Sequence, residues 1–124
     1  ALAASEQKKA NGLTEAERKA VLQRAAEMLA EKTARFAKEM GVTYGRITIR
    51  EQKTRWGSCS SAGNLNYNWK LVLMPERVMD YVVIHELAHR KEMNHSTRFY
   101  AVVAQQMPDY KVWQSWLKEH GREY

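Results

Sequence analysis

Cysteine is almost absent from this chain of 124 residues, which contains only Cys59. An internal disulfide is therefore excluded, and the sequence favours a reducing compartment, so we expect a cytoplasmic protein. Long apolar runs are missing as well, because none approaches the roughly 20 residues that a membrane-spanning helix needs. Proline occurs only at Pro75 and Pro108, which leaves long stretches of the chain free to form regular secondary structure.

Negative charge is also in deficit, since 14 acidic residues face 20 basic ones and leave a net charge of +6. Residues 1–62 carry a net charge of +5, whereas residues 63–124 carry only +1. Such a bias can attract nucleic acid or phosphate-bearing substrates, although a solvated helix face gives the same pattern. The charge therefore keeps a nucleotide or nucleic-acid partner open without requiring one.

The length of the chain suits a single domain with a real core. Residues 1–13 show no period and are interpreted as a tail or the remnant of a missing N-terminal region, with the domain itself over residues 14–124. Thr14 and Glu17 have the spacing of a capping box, and Gly41 suits the position that ends a helix. A long helix is predicted between them. Its buried stripe recurs every three or four residues: Leu22, Ala25, Leu29, Thr33, Phe36 and Met40.

The middle of the chain alternates apolar and polar residues with a period of two, which is typical of strands. One such run covers residues 47–50 and a longer one covers residues 65–73. Residues 60–64 are rich in turn formers, so we expect them to join the two runs as a hairpin.

Three helices are predicted to follow the hairpin. The first should begin near Pro75, and the second should have Ser96 as its N-cap and stop before Pro108. Asp109 can cap the last helix, and Gly121 suits the position after its end.

The first of these helices carries the sequence His85-Glu86-Leu87-Ala88-His89. Four residues turn a helix by about 400°, so the two histidines lie on one face, one turn apart, and can bind a single zinc ion. Glu86 beside them can take a proton from a metal-bound water, which is the chemistry of metal-assisted hydrolysis. A surface helix with two accidental histidines is the alternative. Apolar residues around the motif argue against it, because buried imidazoles and a buried carboxylate need a partner.

A catalytic zinc site needs a third protein ligand, and His95 is the favoured candidate. His95 can reach the ion only if the helix ends between His89 and His95, and Asn94 tolerates the backbone conformation that ends helices. Glu92 lies on the same helix face but about 10.5 Å along the axis from the first ligand if the helix stays straight. His120, in the last helix, is the remaining alternative.

Four segments carry a family resemblance. They are TRWGSC at residues 54–59, GNLNYNW at 63–69, DYVVIHELAH at 80–89, and NHS at 94–96 followed by Phe99 and Tyr100. Together they resemble the YgjP-type metal-dependent hydrolases, which are similar to SprT-like and WLM-type zincin peptidases. The resemblance covers about residues 45–121. Arg90 departs from it, since the family usually has an apolar residue there, and this predicts a more exposed helix face.

The resemblance implies a zincin-like α+β fold with a long N-terminal helix, a small sheet with a hairpin, the HExxH helix and two C-terminal helices. It also implies zinc on His85, His89 and His95, with catalysis by Glu86. Peptide hydrolysis is the function that this kinship favours, with a peptide or protein as substrate. Two alternatives stay open: a metal-dependent hydrolase of a nucleotide phosphoanhydride, and a nucleic-acid-associated SprT-like protease module.

The segment from Arg55 to Cys59 supports two interpretations. Arg55 could meet a substrate carboxylate, phosphate or oxyanion, with Gly57 allowing a close approach of the backbone. Alternatively, the segment is a bulge in which Trp56 packs into the core. Cys59 is expected to be a small apolar filler. Three tyrosines are candidate donors to the transition state: Tyr67, Tyr81 and Tyr100.

Overall fold

The computed structural model describes residues 12–51 and 55–124, so residues 1–11 of the expected tail lie outside the described residues. Helix α1 spans Glu15–Met40. The Thr14 hydroxyl accepts from the backbone N–H of Glu17, while the Glu17 carboxylate accepts from the backbone N–H of Thr14. Gly41 ends the helix in the left-handed conformation at φ 71°. Both predicted ends of this helix are confirmed.

Three short strands form one mixed sheet in the order β1-β3-β2. They are β1 over Ile47–Arg50, β2 over Gly57–Cys59 and β3 over Leu65–Asn68. β1 runs parallel to β3, whereas β2 is antiparallel to it. The hairpin predicted between residues 47–50 and 65–73 is therefore wrong, since residues 60–64 join β2 to β3 and form the hairpin there. The three residues of β2 are too few to show a period in the sequence.

The strand predicted to continue to residue 73 is also wrong, because β3 stops at Asn68 and a 3₁₀ helix covers Trp69–Leu73. The Asn68 side chain accepts from the backbone N–H of Lys70 and turns the chain there. Four consecutive side chains are then buried: Leu71, Val72, Leu73 and Met74. A strand presents successive side chains to opposite faces, so a turn of helix buries such a run more easily.

Helices α2, α3 and α4 span Glu76–Ala88, Thr97–Gln106 and Tyr110–His120. Ser96 caps α3 as predicted, its hydroxyl accepting from the backbone N–H of Phe99. Asp109 stands at the N-cap of α4 but makes no side-chain cap. Its carboxylate instead accepts from Trp113 Nε1 and from Arg77, which corrects the predicted role. No helix among the described residues is long and apolar enough to cross a membrane.

The core lies between α1, the 3₁₀ helix and α2. Helix α2 is enclosed by α1, β2, α3 and α4, so ten of its 13 residues are buried. A buried ion pair also ties α2 to α1. The Lys32 ammonium donates to Asp80 at 2.7 Å and to Glu76 at 3.2 Å, while Arg77 lies 3.4 Å from Asp80. Lys32 is 8% exposed and Asp80 is 5% exposed.

Replacing Lys32 with methionine is expected to lower the free energy of unfolding by about 2–3 kcal/mol. The variant leaves the buried Asp80 carboxylate with Arg77 at 3.4 Å in place of the closer Lys32, and a buried charge that loses its nearest partner is costly. Urea denaturation measures the change. Arg35→Ala is the matched control, because Arg35 pairs with Glu39 on the exposed face of α1 at 4.0 Å, where such pairs contribute under about 1 kcal/mol. Equal losses in the two variants would contradict this account of the ion pair.

Candidate active site

Helix α2 presents His85 and His89 on one face, and the chain then reverses so that His95 meets them. The helix ends at Ala88 with His89 as its C-cap, one residue earlier than the expected interval between His89 and His95, and the chain is then free to bring His95 back. The ligand nitrogens of the three histidines all lie within 4.8 Å of one another. His95 Nε2 is 3.1 Å from His89 Nε2. Within the described part of the chain, no other group of three histidine, cysteine or acidic side chains converges in this way.

The two rival ligands do not join this cluster. Glu92 contributes its backbone carbonyl oxygen, which lies 3.2 Å from His89 Nδ1. His120 is at the end of α4, where its Nδ1 lies 2.7 Å from the Glu123 carboxylate.

Hydrogen bonds fix the tautomer of His89. A carbonyl oxygen only accepts, so His89 Nδ1 carries the proton and donates to Glu92. His89 Nε2 then carries a lone pair and faces His95 Nε2 at 3.1 Å. His85 is held in a similar way, because its Nδ1 lies 3.3 Å from the Tyr81 hydroxyl, which Gln114 also hydrogen-bonds.

Burial keeps these imidazoles neutral. It lowers the pKa of His85 to about 4, and the neighbouring His89 and His95 act in the same direction. Burial also lowers the pKa of His89. Neutral imidazole nitrogens that converge on one point are the donor set of a catalytic zinc site, so the residues present fit a divalent ion.

Phe99 of α3 forms the hydrophobic support beneath the cluster. Its ring centroid lies 4.9 Å from that of His85, 4.5 Å from that of His89 and 4.9 Å from that of His95. The sequence did not indicate that Phe99 contacts all three imidazoles. Its position four residues after His95, on the opening turn of the next helix, is the signal that could have revealed it.

Glu86 is 6% exposed and faces the same cavity. Burial raises its pKa to about 7, against the opposing effect of the Arg55 guanidinium. β2 approaches it closely, because a Cβ added at Gly57 would lie 3.0 Å from Glu86 Cγ and 3.1 Å from Val82 Cγ1. The absence of a side chain at Gly57 thus allows the strand to pack on the Glu86 side chain.

The cavity has a volume of about 490 Å³. The three histidines and Glu86 line one part of it, and residues 55–59 line another. The remaining lining side chains are Tyr81, Val82 and Leu117. The predicted bulge with Trp56 in the core is wrong, because Gly57–Cys59 pairs in regular register with β3 and Trp56 is half-buried against Gly121. Arg55 is exposed at the cavity.

Only one of the three candidate tyrosines lines the cavity. Tyr81 does so, whereas Tyr67 is 1% exposed and shares a 2.9 Å hydrogen bond with Thr33. Tyr100 stacks on Tyr110, with its ring centroid 6.3 Å from that of His95.

Cys59 lines the cavity but is poorly suited to act as a nucleophile. Burial raises the pKa of its thiol, and Glu86 adds to that effect. The thiol hydrogen-bonds the carbonyl of Ser60 at 3.4 Å. A thiolate is the reactive form, so this environment agrees with the expected role of a filler.

Comparisons with known proteins agree with this geometry. A family model described as YgjP-like, metallopeptidase domain, matches residues 2–120. The metallopeptidase zymogen abylysin of Pyrococcus abyssi is 23% identical, with a TM-score of 0.67 over 76% of this chain and 96% of that chain. The metallopeptidase zymogen jannalysin of Methanocaldococcus jannaschii is 20% identical, with a TM-score of 0.54 over 68% of this chain and 90% of that chain. No curated protein sequence matches the chain. The two structures establish the zincin-like α+β fold.

Proposed function

This chain belongs to the YgjP-like metallopeptidase domain family and is a metal-dependent hydrolase, and from that premise we propose that it cleaves peptide bonds with one zinc ion held by His85, His89 and His95. The observation that carries the proposal is the convergence of three imidazoles beside a buried carboxylate in one cavity. A peptide library incubated with the zinc-loaded protein tests it by mass spectrometry. Cleavage that a chelator abolishes is the expected result, and an intact library would contradict the proposal.

Glu86 is the general base in this proposal. Zinc, when bound, supplies a Lewis acid that polarises the scissile carbonyl and lowers the pKa of water. Glu86 takes a proton from the attacking water and passes it to the leaving amine. Its burial strengthens the interaction with that proton.

β2 offers a way to bind an extended peptide. This strand pairs with β3 along one edge, and its other edge is unpaired among the described residues. Residues 55–59 line the cavity beside Glu86. A peptide added to the open edge would gain backbone hydrogen bonds and bring a peptide bond to the histidine cluster.

Arg55 supplies charge selectivity at this cavity in our proposal. It is exposed there, it is the only lysine or arginine among the lining residues, and the structure shows no ion pair to its guanidinium within the described part of the chain. We expect Arg55→Ala to raise KM about tenfold for peptides with an acidic residue near the scissile bond, as the loss of one charge-assisted hydrogen bond implies. Peptides with alanine at that position are the control, and an equal change for both would contradict a charge-selective contact.

The same guanidinium favours a second candidate function, hydrolysis of a nucleotide phosphoanhydride, because arginine matches phosphate geometry well. Nucleoside triphosphates incubated with the zinc-loaded protein test this candidate. Release of phosphate or pyrophosphate that disappears in Glu86→Gln would support it. Unchanged nucleotides would leave peptide hydrolysis as the activity.

A further inference from the structure

The connection from α2 to α3, residues 89–96, holds two of the three clustered histidines but has little burial to fix its shape. Lys91, Met93, Asn94, His95 and Ser96 are all exposed. Within the connection, short backbone hydrogen bonds such as Ser96 N–H to the Asn94 carbonyl maintain the local turns. The backbone N–H groups of Lys91 and Glu92 also donate to the Ala88 carbonyl, and Phe99 supports the imidazoles from α3. None of these contacts joins the connection to the sheet side of the molecule.

Arg90 joins the connection to loops beside the sheet. Its Nε donates to the carbonyl of Thr43 at 2.8 Å, and its Nη1 donates to the carbonyl of Ser61 at 3.2 Å. Thr43 lies between α1 and β1, whereas Ser61 lies in the turn between β2 and β3. One side chain therefore joins the residue after His89 to two separate loops. The exposed helix face expected at this position is wrong, because α2 has ended before Arg90 and the side chain is half-buried against these loops.

The guanidinium also packs closely on Gly63. A Cβ added at Gly63 would lie 2.7 Å from Arg90 Cζ and 2.9 Å from its Nη1. Gly63 has φ +89°, and its carbonyl accepts from the backbone N–H of Gly45 at 2.8 Å. The two loops to which Arg90 donates are thus hydrogen-bonded to each other, which fixes the relative position of its two acceptors.

The planar guanidinium suits this task, because two charge-assisted bonds in different directions fix both the position and the orientation of the side chain. His89 is adjacent to Arg90 in sequence, and His95 follows in the same short connection. We propose that Arg90 is a positioning residue that holds this connection, so that His95 stays at the nitrogen separation that ligation of one ion together with His89 requires. The inference rests on the metal site of the proposed function and adds a residue that touches neither metal nor substrate.

Zinc affinity measured by competition with a chromogenic chelator tests the inference on folded protein. We expect Arg90→Ala to raise the zinc Kd about 10–100-fold, the range typical of residues that orient metal ligands. Arg90→Lys keeps the charge but loses the planar guanidinium that donates to both carbonyls, so the zinc Kd of this variant should lie between those of the wild type and of Arg90→Ala. Lys91→Ala is the matched control, since Lys91 is the exposed neighbour, and its Kd should not change.

Gly63→Ala is an independent perturbation of the same contact, because the added methyl displaces the guanidinium while Arg90 is retained. It should raise the zinc Kd by itself and have little further effect when combined with Arg90→Ala. The backbone strain that alanine causes at position 63 is the same whether residue 90 is arginine or alanine. Strain alone would therefore raise the zinc Kd by the same factor in both proteins, whereas a lost arginine contact would not. An Arg90→Ala protein that loses thermal stability but keeps the wild-type zinc Kd would overturn the inference. Zinc binding without peptide cleavage in the wild type would instead count against the proposed function alone.

Discussion

Glu86→Gln is expected to lower kcat for peptide cleavage about 10³-fold while the protein keeps its zinc. Glutamine fills the same volume beside Gly57 but cannot take a proton, and general-base catalysis contributes about 10²–10⁴-fold. Steady-state kinetics on a peptide found in the library screen measures the effect, and elemental analysis of the same sample measures the zinc.

Glu92→Gln is the matched control for this variant. Glu92 lies in the connection after α2 and uses its backbone carbonyl, which the substitution leaves in place, to hold His89. Zinc content and kcat should therefore stay at wild-type values. If Glu86→Gln lost its zinc instead, Glu86 would be a ligand and the assigned role would be wrong. If Glu86→Gln kept full activity, another group would carry out the proton transfer.

His95→Ala is expected to weaken zinc binding by more than about 100-fold, because the loss of a residue that only orients a ligand already lowers metal affinity about 10–100-fold. His85 and His89 would remain on α2, but two imidazoles leave a zinc ion without the third protein ligand of a catalytic site. Competition with a chelator measures the Kd, and activity should fall in parallel at limiting zinc.

His120→Ala is the natural control, since it removes the remaining histidine of the chain from the end of α4, where it pairs with Glu123. Its zinc Kd should equal that of the wild type. A His95→Ala protein that binds zinc as tightly as the wild type would show that His95 is not the third ligand. A loss of zinc affinity in His120→Ala alone would identify His120 as that ligand.

Local patterns explain what could be predicted from the sequence. The capping box at Thr14, the left-handed Gly41 and the cap at Ser96 depend on residues only a few positions apart, and all three are present. The spacing of His85, Glu86 and His89 follows from the pitch of one helix in the same way. His95 joins the cluster because α2 ends at Ala88. The helix end expected at Asn94 is wrong, since Asn94 does not adopt the left-handed conformation and no described residue other than glycine has a positive φ.

Long-range contacts explain what the sequence did not reveal. β2 becomes a strand by pairing with β3, and its three residues have no period of their own. The 3₁₀ helix after Asn68 replaces a predicted strand because its consecutive apolar residues are buried together in the tertiary core. Arg90 bonds to Thr43 and Ser61, which are 47 and 29 residues away in the chain. No local pattern indicates such a pairing.

The central claim is metal-dependent peptide hydrolysis at one histidine cluster, and a zinc titration of the chelator-treated protein tests it most directly. Peptide cleavage is followed as zinc is added in known equivalents. We expect no cleavage without metal and a linear rise in rate that ends near one equivalent of zinc per chain, as a three-histidine site requires. Full activity in the metal-free protein, or no activity at any zinc concentration, would contradict the claim.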